Sequence, residues 1–267
     1  KILQLSLNQK KNGVVAYSSG NHAQAVAYTS KIFRISAKII MPENAPRIKI
    51  ENTKKYGAEV ILYDPFYENR EEIGNKIAKD ENRILIKPYD DLDIIAGQGT
   101  SGKEISEELI KLNIQPDIYL CCCGGGGLVA GTSTYLKHSF PSIKCYSVEP
   151  DNFDDTKMSL EENLIKPVTK NLTSICDALL APQPGNITFA INKRILEKGL
   201  TVTDEEVKNT IIELAENLKL VVEPGGAVAA AAVLNKKIET NNKTIVVMIS
   251  GGNIDNHLFS KIIHEFK

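Results

Sequence analysis

The sequence predicts an α/β fold made of two doubly wound, three-layer α/β/α lobes with mostly parallel sheets. Short, continuously apolar runs alternate with longer amphipathic stretches along almost the whole chain. Such runs are typical of strands that are covered on both faces in parallel sheets, and the amphipathic stretches indicate the covering helices. Glycine-bearing turns follow three of the runs, at the strand ends where open α/β sheets bind their ligands.

Seven apolar runs form the predicted strands. They are GVVAY, AKIIM, AEVILY, RILI, DIYLCCC, IKCYSV and TIVVMIS. The clearest predicted helices cover residues 23–33, 47–56, 70–79, 102–112 and 205–218. The opening residues, KILQLSLNQKKNG, read like the end of a helix. The polar segment after Pro88 divides the chain, and we expect a small domain at residues 13–92 and a large domain at residues 93–267.

The charge balance argues against two classes of partner. The 267 residues carry 32 Lys and Arg against 33 Asp and Glu, which leaves a formal net charge of −1. Nucleic-acid grooves and anionic membrane surfaces need clustered basic residues, so we expect neither partner. The five Cys, three of them consecutive, lack the spacing of a zinc site or a disulfide framework. We therefore expect buried thiols in the reducing cytoplasm.

The first glycine-bearing turn is Ser18-Ser19-Gly20-Asn21-His22, between a predicted strand and a predicted helix. N–H groups and hydroxyls at a helix N-terminus bind anions, and a carboxylate would suit this turn. An ordinary Ser or Asn helix cap is the alternative.

The second and third turns follow strands of the larger domain. Gly124-Gly125-Gly126-Gly127 follows the Cys-rich strand and precedes a predicted helix. Four glycines allow a ligand to approach the backbone and permit a concave row of N–H donors, for which phosphate is the natural ligand. Ser250-Gly251-Gly252-Asn253 follows the last strand, whose end would present the Ser250 hydroxyl.

A dinucleotide-binding protein is an alternative reading of the second turn. Gly125, Gly127 and Ala130 match the dinucleotide fingerprint, and Glu149 ends the next strand at about the spacing of a ribose-binding acid. This alternative predicts an NAD(P)-dependent Rossmann dehydrogenase. It leaves the other two turns unexplained and places the fingerprint in the middle of the chain.

Taken together, the turns resemble a known family. SSGNHAQAVAY, GGGGLVAG and SGGN, with EP-x-x-x-DD between the last two, resemble the pyridoxal-phosphate (PLP) dependent serine/threonine dehydratases and serine racemases of fold type II. IAGQGT, PQPG, TVTDEEV and VEPGGA also fit that family. The resemblance runs from about residue 13 to the end of the chain. It implies a tryptophan synthase β-like fold, a threonine or serine ammonia-lyase (dehydratase) activity that yields a 2-oxo acid and ammonia, and a homodimer.

The resemblance also implies roles for residues in the three turns. Asn21 would hydrogen-bond the cofactor 3-hydroxyl, Gly124 to Gly127 would hold its phosphate, and Ser250 would meet the pyridine nitrogen. Ser18, Asn21 and His22 would line the substrate carboxylate site. A neutral hydroxyl at the ring nitrogen makes the pyridine less electron-withdrawing than a carboxylate partner would, which suits elimination.

Two further features follow the racemase-like branch of the family. Ser19 stands where that branch carries its acid/base, whereas plain dehydratases often have Ala, so racemisation stays open. Glu149, Phe153 and Asp155 resemble that branch's divalent-cation site, with two side-chain ligands and the Phe153 carbonyl. Oxygen ligands suit Mg²⁺ or Ca²⁺, and a solvated acidic loop is the alternative.

The largest departure from the family is an absence. Its Schiff-base lysine lies in a Ser-Phe-Lys-x-Arg-Gly motif upstream of SSGNH, whereas no such motif occurs here and Lys1, Lys10 and Lys11 lack its context. We therefore expect an N-terminally truncated chain, with residues 1–12 a remnant of the large domain's first segment. A non-catalytic remnant or binding module that keeps the fold is the alternative function.

Smaller departures concern the substrate pocket. The family's Asp-Gly becomes Asp177-Ala178, and its VEPSGA becomes VEPGGA with Gly225 in place of the Ser. Ala178 is expected to narrow the pocket. The choice among serine, threonine and hydroxyaspartate as substrate stays open.

Overall fold

The computed structural model describes residues 1–168 and 173–265, and the chain divides into two compact units, Lys1–Pro88 and Tyr89–Lys267. Each unit contains one four-stranded sheet in which every described pairing of strands is parallel. The prediction of an α/β fold with two parallel sheets is therefore confirmed.

The first unit winds its helices around a sheet whose order reverses at its first strand. Its strands are β1 (Val14–Tyr17), β2 (Ala37–Pro42), β3 (Glu59–Tyr63) and β4 (Ile84–Ile86). Its helices are α1 (Leu7–Asn12), α2 (Asn21–Ile32), α3 (Arg47–Lys55) and α4 (Arg70–Asp80), after a 3₁₀ turn at Ile2–Gln4. The strand order is β3-β2-β1-β4. The turn after β1 therefore lies at a switch point, where doubly wound sheets bind ligands.

The second unit repeats this topology with longer connections. Its strands are β5 (Ile118–Cys122), β6 (Lys144–Pro150), β7 (Leu196–Val202) and β8 (Ile245–Val247). Its helices are α5 (Leu92–Lys111), α6 (Gly127–Ser139), α7 (Asp155–Glu162), α8 (Asn186–Ile195), α9 (Asp204–Leu218), α10 (Pro224–Leu234) and α11 (Asn256–Glu265), with a 3₁₀ turn at Asp177–Leu179. The order β7-β6-β5-β8 makes β5 and β8 the switch-point strands. The glycine run follows β5 and the SGGN turn follows β8, so both lie at that point.

Helix α5 is much longer than the predicted segment at residues 102–112. It begins at Leu92, where the Asp91 side chain accepts hydrogen bonds from the N–H groups of Asp93 and Ile94. Two of its glycines, Gly99 and Gly102, pack against α6, although glycine lowers intrinsic helix propensity. A Cβ on Gly102 would lie 2.6 Å from the Thr132 carbonyl oxygen, and one on Gly131 would lie 2.7 Å from the Gly99 nitrogen. The two helices can approach this closely only because these residues are glycines. The same glycines, with their low helix propensity, explain why the sequence did not predict the first half of α5.

The two units divide between Pro88 and Tyr89, whereas the sequence placed the domain boundary after residue 92. Asp91 caps α5, and this cap ties the polar segment to the second unit. Residues 1–12, interpreted as a remnant of the large domain, lie within the first unit and contain α1.

The cysteines are unpaired and buried, as expected. Cys121 and Cys122 belong to β5, which is buried along its whole length. Burial raises the pKa of the Cys145 thiol to about 11 and that of Cys123 well above its usual range, so these thiols act as small apolar side chains in the core. Among the helices in the described part of the chain, none is both long and apolar enough to cross a bilayer.

Candidate active site

The turn after β1 leaves the N-terminus of α2 without a side-chain cap. Gly20 is the N-cap residue, and a glycine has no side chain that could accept from the first N–H groups of the helix. The Ser18 Oγ accepts a hydrogen bond from the Gly20 N–H at 3.1 Å. Within the described residues, the N–H groups of His22 and Ala23 donate to no acceptor. An ordinary Ser or Asn cap is therefore absent from this helix, and its N-terminus suits an anion.

The His22 ring is neutral near pH 7. Its Nε2 lies 3.2 Å from the Ile86 carbonyl oxygen, which can only accept, so Nε2 carries the proton. Burial lowers the pKa of His22 to about 4, against the opposing effect of that hydrogen bond. A neutral ring whose N–H is engaged does not attract a carboxylate. The backbone N–H of His22 is therefore the group that could bind one.

A buried lysine lies beneath the same turn. Lys49 of α3 is fully buried, and its aliphatic chain occupies the space that a side chain on Gly20 would need. Lys49 was not predicted, because one lysine in an amphipathic helix carries no signal of burial. The Ser19 hydroxyl is half-buried and has no hydrogen-bond partner among the described residues.

The glycine loop, Gly124 to Gly127, connects β5 to α6. Gly126 is the N-cap residue of α6 and has φ +90°, a left-handed conformation that favours glycine. The N–H groups of Gly125, Gly126 and Gly127 donate to no acceptor in the part of the chain that the structure describes. Consecutive uncommitted donors at a helix N-terminus fit a phosphate group.

Residues from distant segments enclose the glycine loop, and none of them was predicted. The Tyr89 ring fills the space beside Gly125. Thr188 and Asn192 of α8 donate to the carbonyl oxygens of Gly125 and Gly126 at 2.7 Å and 3.2 Å. The only sequence signal was the position of α8 after the family segment PQPG.

Ser250 lies three residues after β8 and contacts β5, the strand that leads into the glycine loop. The Cys122 thiol donates to the Ser250 Oγ over 3.1 Å, while Ser250 itself is exposed. The Glu223 N–H donates to the Gly251 carbonyl oxygen at 3.0 Å, and a Cβ on Gly226 would lie 2.7 Å from that oxygen. Glycines thus allow the start of α10 to approach the SGGN turn closely.

Two buried carboxyl groups lie at the end of β6. Glu149 and Asp155 are both fully buried. Glu149 accepts from the N–H groups of Thr156 and Lys157 at 2.8 Å and 2.9 Å, whereas neither Asp155 carboxyl oxygen has a partner in the described residues. Burial raises the pKa of Asp155 to about 8, and burial together with the Asp155 charge raises the pKa of Glu149. The pair is not a solvated acidic loop.

This geometry argues against the dehydrogenase alternative. A ribose-binding acid must present a carboxylate oxygen to the ligand. Both oxygens of Glu149 are instead engaged by backbone N–H groups inside the protein. Glu149 therefore holds the start of α7, and because it is fully buried, a ribose hydroxyl cannot reach it.

The pair is a candidate cation site of limited size. No group of three or more His, Cys, Asp and Glu side chains among the described residues could hold a metal ion. A cation here would have two carboxylates and the Phe153 carbonyl as its protein ligands. The unpartnered oxygens of Asp155 fit that role, because a buried charge needs a compensating partner.

Comparison with known proteins identifies the family. The pyridoxal-phosphate dependent enzyme family matches residues 1–251. The serine racemase of Schizosaccharomyces pombe is 40% identical over 262 residues, which cover 98% of this chain and 80% of that protein. The L-threo-3-hydroxyaspartate ammonia-lyase of Saccharomyces cerevisiae is 38% identical over 262 residues, covering 98% and 79%. The structure of maize serine racemase has a TM-score of 0.89 and 32% identity, covering 99% of this chain and 80% of that one. The resemblance carried by the three turns is thus confirmed, and the chain belongs to the family of pyridoxal-phosphate dependent enzymes.

Proposed function

We propose that the second unit binds PLP at the carboxyl ends of β5 and β8. The observation that carries the proposal is the glycine loop, whose N–H groups are uncommitted among the described residues and stand at a helix N-terminus. In this assignment Gly124 to Gly127 hold the phosphate, Ser250 meets the pyridine nitrogen, and Asn21 hydrogen-bonds the 3-hydroxyl. When bound, PLP withdraws electrons from the Cα atom of the amino acid and so favours proton loss there.

The reaction that we propose is the β-elimination of a hydroxy amino acid. The relatives act on serine, threonine and L-threo-3-hydroxyaspartate, according to their names. The hydroxyl of Cβ and the proton of Cα leave together as water and give an enamine. The enamine takes up a proton at Cβ and becomes an imine, whose hydrolysis takes up water and releases ammonia. The net change is one amino acid to one 2-oxo acid and ammonia.

The turn after β1 has the groups that a substrate carboxylate needs. Ser18, Asn21 and the backbone N–H of His22 are its proposed donors. Ser19 is the proposed acid/base for serine racemisation. Its hydroxyl has no partner among the described residues and so can exchange a proton with a ligand.

We propose that Glu149, Asp155 and the Phe153 carbonyl bind Mg²⁺ or Ca²⁺. The unpartnered, buried carboxylate of Asp155 supports this assignment. The five unpaired thiols suit the reducing cytoplasm. A homodimer is proposed from the family alone.

A second candidate function is that of a binding module, and the backbone nature of the phosphate site is the observation that favours it. The phosphate site described above uses backbone N–H groups and does not depend on a lysine. The same chain could therefore bind the cofactor without forming a covalent bond to it.

One experiment separates these functions. The protein is first tested for binding of pyridoxamine 5′-phosphate and of unphosphorylated pyridoxamine, neither of which can form a Schiff base with lysine. We expect a preference for the phosphate of roughly a hundredfold, because hydrogen bonds to a charged group contribute about 1.5–3 kcal/mol each. Saturable NAD⁺ binding without this preference would overturn the proposal.

The second step tests catalysis. The protein is incubated with PLP, reduced with borohydride and searched by peptide mass spectrometry for a labelled lysine, while release of 2-oxo acid from L-serine and L-threonine is measured. A labelled lysine with 2-oxo acid release supports the lyase. Phosphate-dependent binding without either result supports the binding module.

The departures at residues 178 and 225 lead to a prediction about stability. A Cβ on Gly225 would lie 3.2 Å from both the Ala178 Cβ and the Leu179 Cγ, so a side chain at residue 225 competes for space with the methyl group of Ala178. We expect Gly225→Ser to lower the free energy of unfolding by about 1–3 kcal/mol through overpacking. Ala178→Gly added to it should restore part of that loss. Urea unfolding of the two single variants and the double variant measures the coupling, and strict additivity would contradict it.

A further inference from the structure

Two side chains on one face of α8 hydrogen-bond the carbonyl groups of the glycine loop. The Thr188 Oγ1 donates to the Gly125 carbonyl oxygen at 2.7 Å, and the Asn192 Nδ2 donates to the Gly126 carbonyl oxygen at 3.2 Å. Both side chains are fully buried. Residues four apart lie on the same face of a helix, so one face of α8 contacts two successive peptide groups of the loop.

These two contacts determine where the N–H groups of the loop point. In a trans peptide the C=O and the following N–H are antiparallel and lie in one plane. The Gly125 carbonyl shares a plane with the Gly126 N–H, and the Gly126 carbonyl shares one with the Gly127 N–H. Because both carbonyls are directed toward α8, both N–H groups are directed away from it.

Helix α8 is itself fixed against the loop. The Asp90 Oδ1 accepts from the Ile187 N–H at 2.7 Å, which sets where the helix starts. The Gly185 N–H donates to the Gly125 carbonyl oxygen at 3.3 Å. A Cβ on Gly126 would lie 2.7 Å from the Asn192 Nδ2 and 3.2 Å from the Thr188 Cβ. Because Gly126 lies this close to Asn192 and Thr188, the glycine loop has no room to rotate toward α8.

We propose that Thr188 and Asn192 are positioning residues for a phosphate monoester ligand. They hold the loop carbonyls on the side of α8, so that the N–H groups of Gly126 and Gly127 face the ligand. This inference rests on the proposed function, since it assumes that the glycine loop is the phosphate site. Without these donors, a peptide group that flipped would place a carbonyl oxygen against the phosphate.

The test compares near-isosteric variants that lack the donors. Thr188→Val and Asn192→Leu are titrated with pyridoxamine 5′-phosphate and with pyridoxamine. We expect each variant to bind the phosphorylated ligand about ten- to a hundredfold more weakly and the unphosphorylated ligand about as well as the parent protein does. Thr188→Ser, which keeps the hydroxyl, should restore most of the preference for phosphate.

The matched control is Thr210→Val. Thr210 lies in α9, is buried, and donates its hydroxyl to a carbonyl oxygen, that of Glu206, at 2.8 Å. The Thr210→Val variant also loses a hydroxyl that donates to a carbonyl oxygen, but at a position away from the glycine loop. Its preference for the phosphorylated ligand should therefore not change. Thermal unfolding of every variant shows whether it folds, and Asn192→Leu carries the test if Thr188→Val does not.

The outcomes distinguish this inference from the proposed function. A parent protein without preference for the phosphorylated ligand would contradict the assignment of the loop itself. A parent protein with that preference, retained by both Thr188→Val and Asn192→Leu, would overturn only the inference. Equal weakening of both ligands would also overturn it, because a general structural role does not single out the phosphate.

Discussion

Replacing Gly126 with alanine is expected to weaken the binding of pyridoxamine 5′-phosphate more than a hundredfold. Gly126 has φ +90°, and an alanine there costs about 1–2 kcal/mol in backbone energy alone. Its Cβ would also lie 2.7 Å from the Asn192 Nδ2. Because Asn192 is buried, it has little room to move away. The loop must therefore shift, and the N–H groups that we assign to the phosphate shift with it. Isothermal titration of the folded variant measures the loss.

Gly57→Ala is the matched control for backbone strain. Gly57 has φ +91°, and no atom lies within 4 Å of the position that its Cβ would take. This variant should lose only the stability that an alanine at positive φ costs, because its Cβ meets no other atom. It should bind the ligand as the parent protein does. If Gly126→Ala bound the ligand within about threefold of Gly57→Ala, neither the packing argument nor the phosphate assignment could be correct.

The sheets were largely predictable, because a buried parallel strand is recognisable without its partners. β1 and β5 are apolar throughout and buried throughout, so local composition decides their structure. β7 was missed. Its sequence, LEKGLTV, has charged residues at exposed positions, as an edge strand does, and its strand character depends on pairing with β6.

The site was only partly predictable because, as with β7, part of it depends on contacts between residues remote in sequence. Each turn that was predicted is a run of neighbouring residues with an unusual composition. The residues that shape those turns are remote in sequence, such as Thr188, which is 63 residues from its hydrogen-bond partner Gly125. Such contacts depend on the packing of whole helices, and no short segment records them. The uncapped N-terminus of α2 likewise becomes visible only once the Ser18 hydroxyl is seen to bond the Gly20 N–H.

Asp155→Asn is expected to stabilise the metal-free protein at pH 8. Burial raises the pKa of Asp155 from 3.8 to about 8. A carboxyl group whose pKa is higher in the folded state costs no stability below its unfolded pKa. The cost grows as the pH rises toward the folded pKa, since the unfolded state has then released a proton that the folded state keeps. Each pKa unit corresponds to about 1.4 kcal/mol, so the cost reaches several kcal/mol near pH 8.

The measurement is urea unfolding at pH 5 and pH 8 in the presence of EDTA. The gain in unfolding free energy from Asp155→Asn should be larger at pH 8 than at pH 5 by roughly 2–4 kcal/mol. Asp151→Asn is the control, because it removes an exposed carboxylate from the same segment. Its effect should be small at both values of pH. A loss of stability in Asp155→Asn at pH 8 would show that Asp155 is a compensated charge and would contradict the prediction.

At pH 8, a divalent cation should make the parent protein more stable than Asp155→Asn, which reverses their order without the cation. A cation bound by Glu149 and Asp155 supplies the positive charge that the buried pair lacks among the described residues, so the parent protein should gain stability with Mg²⁺ or Ca²⁺ at pH 8. The gain should shrink at pH 5, because protons then compete for the same oxygens. Asp155→Asn has lost one charged ligand and should not respond, while Asp151→Asn should respond as the parent does. An equal response in all three proteins would place the cation elsewhere. The same carboxylate is thus expected to destabilise the cation-free protein and to stabilise the cation-bound protein. This combination is expected of a buried site whose negative charge only a bound cation compensates.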